Sequence, residues 1–197
     1  MVDFPRDFAF RTRGVPQCDP NSPGFGTSTT AAAVAACGPS QIRTGRANLA
    51  GAVAGVTAVV TAFNGTTPAG FPTVLLHSRT TAGTTTVLIG TLRVSDQGTK
   101  FGNVLDVVVP ILPLGFVITK FETTIPKKVV KKAVKKKVNP RTGKVIRKAK
   151  PAQFYISARC STNTWDFQAR STYTDGVPST VASTTAACKA KKPPKRK

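Results

Sequence analysis

Acidic residues are scarce in this chain. Of 197 residues only eight are Asp or Glu, and Glu122 is the one glutamate. Helical surfaces normally mix Glu with Lys, Gln and Arg, so a body rich in Thr, Val, Ala and Gly favours strands. Histidine is nearly missing as well, with His77 standing alone. One histidine and no C-x-x-C spacing cannot compose an ordinary zinc set from local pairs. The sequence also lacks a G-x-S-x-G elbow, a P-loop and a dinucleotide fingerprint. No cofactor is expected.

Long apolar runs are missing too. Leu49 to Val60 covers 12 residues and is interrupted by Gly51, Gly55 and Thr57. Val104 to Ile118 is broken by Asp106, Pro110 and Pro113. Crossing a bilayer takes about 20 apolar residues, so both read as buried strands and no transmembrane segment is expected. The opening Met1-Val-Asp-Phe-Pro-Arg-Asp-Phe carries acids and no continuous apolar stretch of the kind a secretory leader needs.

What is abundant is lysine, and it is unevenly placed. Twelve of the 29 basic residues fall within 127–150, and six more within the last nine positions, with no acid in either run. Eleven bases then face eight acids on the remainder, so most of the formal +21 sits on two runs attached to a nearly balanced body. The candidate polyanion-binding residues are Lys127, Lys128, Lys131, Lys132, Lys135, Lys136, Lys137, Arg141, Lys144, Arg147, Lys148 and Lys150 in the first run. Lys191, Lys192, Lys195, Arg196 and Lys197 follow in the second. Lysine dominates over arginine, and no aromatic lies between Ile125 and Phe154. Base stacking and bidentate base reading need aromatics or arginine, so any contact made here is sequence-independent and salt-sensitive. A solvated, solubilising appendage is the bland alternative.

Four cysteines, Cys18, Cys37, Cys160 and Cys188, are compatible with two disulfides, and three pairings are open. The pairing Cys18–Cys37 with Cys160–Cys188 is preferred, since each pair brackets a compact segment. Four reduced thiols are the alternative, and the choice bears on compartment.

The chain reads as one all-β domain over 1–188, an antiparallel, sandwich-like unit with a short helix, followed by a basic tail over 189–197 expected to be disordered. Asp7 to Arg13 alternates as a half-buried strand, with Phe8 and Phe10 on one face. Thr29 to Ala36 is the helical candidate, capped by Ser28 or Thr29 and stopped by Cys37-Gly38-Pro39. Strands are expected over roughly 42–50, 54–63, 71–79, 84–95, 100–109 and 115–125. Asn64-Gly65 is a strong hairpin signal, and with Thr66 it also matches a glycosylation sequon. Residues 126–151 form a projecting basic hairpin or loop about the turn Asn139-Pro140-Arg141-Thr142-Gly143, full disorder being the competing reading. Val129, Val130, Ala133, Val134 and Val138 are interleaved with its lysines. The chain returns through 154–159, and a last strand pair, 163–173 and 177–187, turns on Thr174-Asp175-Gly176.

The stretch Phe8-Ala-Phe-Arg-Thr-Arg-Gly14-Val-Pro16-Gln-Cys18, with Cys37-Gly38 and Thr61-Ala-Phe-Asn64-Gly65, resembles a group of uncharacterised secreted actinobacterial proteins. Cys160, Trp165, Phe167, Tyr173, Asp175-Gly176 and Cys188 are similar to that group's closing unit. The resemblance spans most of residues 4–188. It implies export and paired cysteines, and it brings no catalytic residues.

Catalytic candidates are few. His77 shares a strand face with Leu75 and Arg79, and the adjacent Ser78 points the other way, so the two cannot form a nucleophile–base contact. Asp106 and Glu122 lie on strands expected to be neighbours, which would suit a paired-carboxylate hydrolase; acids balancing Arg93 or Lys120 explain them as well. Trp165, Phe167 and Tyr173 near Cys160 suit a packed aromatic core, with a sugar or base platform as the alternative.

No catalytic or metal residues are therefore assigned. The leading expectation is a non-enzymatic exported or cell-surface protein whose basic segments contact an anionic polymer, an envelope polysaccharide or nucleic acid. An intracellular, sequence-independent nucleic-acid-binding protein is the alternative, and an envelope hydrolase the third.

Overall fold

Two short strands, β1 (Val2–Pro5) and β2 (Phe8–Phe10), open the chain. The computed structural model describes residues 1–26, 29–51, 54–67, 70–112, 115–123, 129–131, 134–135, 137–147, 153–173 and 177–190. The strand expected over Asp7–Arg13 is shorter than its alternation suggested. It ends at Phe10, where the Arg11 amide donates to Tyr155 O, and Thr12–Gly14 winds into a 3-10 turn ahead of Pro16.

The helix α1 (Thr30–Cys37) is capped by Thr29, whose Oγ1 accepts from the Ala32 amide at 3.3 Å. Gly38 does not end it in the left-handed conformation. It stays right-handed and leads into a 3-10 turn, Gly38–Ser40. Eight residues are too few to hold a helix alone. The Cys18–Cys37 disulfide and a cluster of Phe25, Ala33, Phe63 and Leu75 hold it to the sheet.

Six long strands follow: β3 (Gln41–Ala50), β4 (Thr57–Asn64), β5 (Thr73–Thr80), β6 (Thr85–Val94), β7 (Phe101–Val108) and β8 (Val117–Thr123). The basic run contributes β9 (Val129–Lys131), β10 (Lys137–Val138) and β11 (Val145–Arg147). The chain closes with β12 (Gln153–Phe154), β13 (Ile156–Ala158), β14 (Thr164–Ser171) and β15 (Thr180–Ala187).

Nine strands join into one antiparallel sheet in the order β15-β14-β1-β7-β6-β5-β4-β3-β8. Period-two alternation gives this sheet two buried faces. On one face Ala47, Val60, Leu76, Leu88 and Leu92 pack together, with Leu105 and Val107 at their margin. Tyr155, Phe10 and Ile156 lie over them, so the β2–β13 ladder forms a second layer of a sandwich-like arrangement. On the other face Phe63 and Leu75 meet α1 and Phe25.

Asn64-Gly65 is not the tight hairpin turn its dipeptide suggests. Asn64 ends β4 fully buried, and its Nδ2 donates to Thr12 O, Val15 O and Pro16 O at 3.1, 3.0 and 3.2 Å. Gly65 forms an isolated parallel bridge with Cys18, and β5 begins only at Thr73. A side chain engaged in this way cannot serve as an exposed glycan acceptor. Tertiary demand for three carbonyl partners overrides the local turn preference.

Both disulfides follow the preferred pairing, Cys18–Cys37 and Cys160–Cys188, with Cα separations of 5.4 and 5.9 Å. Such bonds persist in oxidising environments. No described helix is long and apolar enough to cross a membrane, which says nothing of a β-barrel.

Candidate functional site

The basic run is organised as two small ladders, separate from the nine-stranded sheet. Near the body, β9 pairs with β12 through Lys131↔Gln153 and Val129↔Phe154. Further out, β10 pairs with β11 through Lys137↔Arg147 and Val138↔Val145. The tip is the turn expected at Asn139–Gly143. Asn139 accepts from the Arg141 amide on Oδ1 at 2.9 Å, and its own amide donates to Lys144 O at 2.8 Å. Gly143 takes φ +66°, a conformation that disfavours any side chain, and donates to Asn139 O.

This geometry spreads charge instead of burying it. Lys135, Lys137, Arg141 and Lys144 are all exposed. The ion pairs among the described residues are Lys100–Asp166, Lys120–Glu122, Arg170–Asp3 and Arg170–Asp96, and none involves the basic run. Lys131 and Arg147 sit on strands β9 and β11. Lys127, Lys128, Lys132, Lys136, Lys148 and Lys150 lie outside the described residues, as do Lys191, Lys192, Lys195, Arg196 and Lys197 of the tail. The run reaches the body at Tyr155, which is fully buried and donates its hydroxyl to Asn64 Oδ1 at 3.3 Å. Burial holds that phenol protonated well above the usual tyrosine range.

The other candidates are dispersed. Asp106 and Glu122 do not face each other. β7 lies between β1 and β6, and β8 pairs with β3 at the sheet's edge, so four strands separate the two carboxylates. The expected adjacency failed because β8 crosses back over β3 instead of continuing the meander. Glu122 instead pairs with Lys120 at 2.7 Å. His77 is fully buried on the α1 side of β5, its ring set against Phe25 with centroids 5.7 Å apart. Ser78 lines the opposite face, as the strand period requires.

Trp165 and Phe167 form a half-buried aromatic cluster with Phe4 and Phe8, at centroid separations of 5.2 to 6.3 Å. The Trp165 indole donates to Arg159 O at 2.7 Å, and its edge-to-face contact with Phe8 is one of packing. Tyr173 stands apart, exposed.

Sequence reasoning missed one basic feature of the body. Register places Arg46, Val59 and Arg79 side by side on β3, β4 and β5. With Thr30, Asn48, Thr57 and Thr81 they line a groove of ≈ 420 Å³ that has no acidic residue in its wall. Two arginines 33 positions apart carry no signal until the strands are aligned.

No protein-family model matches the chain, and neither a curated protein nor a solved structure matches it.

Proposed function

We propose that this chain is a non-enzymatic, exported or cell-surface protein whose basic segments make non-specific electrostatic contact with an anionic polymer. The observation that carries the reading is the exposed hairpin bearing Lys135, Lys137, Arg141 and Lys144, with no ion-pair partner among the described residues. Lysine ammonium groups act as point charges toward phosphate, sulfate or carboxylate and read no sequence. Export is supported by the two disulfides, which a reducing cytosol would not maintain.

The test is retention of the full chain on immobilised heparin and on DNA across a salt series. Engagement of six or more phosphates would weaken binding roughly a thousandfold between about 50 and 200 mM salt. Neutralising 127–150 and 189–197 should abolish retention; unchanged retention would overturn the reading. Alkylation of freshly isolated, unreduced protein tests the compartment. Four modified thiols would favour the alternative, an intracellular nucleic-acid-binding protein.

A further inference from the structure

We propose that β15 pairs antiparallel with β15 of a second copy of this chain, joining two sheets edge to edge about a two-fold axis at Thr184. This goes beyond the polyanion reading and stands on different residues. β15 is a terminal strand of the nine-stranded sheet, matched to β14 through eight successive pairs without a bulge, and all eight of its residues are exposed.

Two hydrogen bonds show which backbone groups face outward. The Cys188 amide donates to Asn163 O, and the Arg170 amide donates to Met1 O on the other side of β14. Hydrogen-bonded pairs recur at every second residue of an antiparallel ladder. Thr180, Ala182, Thr184 and Ala186 therefore bond to β14, while Val181, Ser183, Thr185 and Ala187 turn their N–H and C=O groups to the open edge.

Free edges are normally blunted by charge, proline or a bulge. The opposite edge of this sheet is blunted: β8 carries Lys120 and Glu122, and its pairing with β3 is irregular at Asn48/Leu49. β15, with the sequence Thr-Val-Ala-Ser-Thr-Thr-Ala-Ala, carries none of these devices. Its Cys188 end is pinned by the disulfide to Cys160, so the edge is held ready for pairing.

The sequence of β15 suits its own copy. With Thr184 facing Thr184 of the copy, Val181 meets Ala187 and Ser183 meets Thr185, so all four outward residues fall in bonded pairs. Every facing side chain is small and uncharged. Antiparallel pairing also sends the lysine tails beyond Cys188 to opposite ends, where a parallel one would set them together.

Sedimentation of the full chain across a concentration series tests this, without added polyanion. A reversible monomer–dimer equilibrium is expected, strengthened by salt as repulsion between basic chains is screened; polyanion binding must weaken with salt. Ser183→Pro removes an outward N–H without breaking a bond to β14, and should weaken the dimer by about tenfold or more. Thr184→Cys supplies a register test, because facing residues of a non-bonded pair lie about 4.5 Å apart, within disulfide reach. It should oxidise to a covalent dimer, and Ala182→Cys, whose counterpart is Ala186, should not. A monomer at every concentration, a Ser183→Pro variant that associates like the parent, or equal cross-linking of both cysteine variants would overturn the proposal.

Discussion

Arg170 Nε donates to Asp3 Oδ2 at 2.8 Å, tying β14 to β1 across a sequence separation of 167 residues. Asp3 is fully buried, and it also accepts from Arg170 Nη2 and from Ser95 Oγ. Arg170 reaches on to Asp96, whose carboxyl is held below its ordinary range first by the Gln97 side chain and then by Arg170.

Arg170→Ala would leave the Asp3 carboxylate buried without its cation, a loss of about 3–5 kcal/mol. Urea unfolding should show the fall. Replacing both partners with apolar residues of similar size should recover most of it, because a buried charge costs most when it is unpaired.

Asn64→Ala removes the donor to three backbone carbonyls, two of them buried, and the acceptor for Tyr155. A loss of about 2–3 kcal/mol is expected, seen as a lower denaturation midpoint with an unchanged slope. The same burial predicts that expression in a glycosylating host adds no glycan at Asn64, which intact mass measurement checks.

Asp166 is held below the ordinary aspartate range, first by the Thr185 hydroxyl and then by Lys100. A depressed folded-state value contributes stability that is present above the unfolded value and lost as pH falls through the folded one. The carboxyl resonance of Asp166 should therefore titrate below about pH 3.9, and Thr185→Ala should move it upward.

Tyr155 has the opposite sign. Burial raises its folded value, so its contribution is complete below the unfolded value and is lost as pH rises past about 10. Phenolate absorbance should show a late phase, absent in Tyr155→Phe. If the variant retains that phase, the assignment fails.

Elements were legible where local chemistry decides them. The strands from β3 to β8, the helix under Thr29 and the turn at Asn139–Gly143 all follow from alternation, capping and turn residues. Asp3 was not legible, because nothing near it in sequence announces that β1 is inserted between β7 and β14. Asn64 misled, since its strong local turn signal gave way to three carbonyls from the loop before Cys18. The Asp106–Glu122 pair failed for a related reason: strand order is set by long-range pairing, to which a nearest-neighbour reading is blind.

By itself the sequence determined an all-β chain and the segregation of charge onto two lysine runs, and it favoured the local disulfide brackets over two other pairings that the structure then closed. Each depends on composition or on residues close in the chain. Tertiary structure alone decided which strands lie side by side, which polar groups are buried, and which edge of the sheet stays open. Those outcomes depend on backbone hydrogen bonds between distant segments, and these are paid for by burial that no local window records.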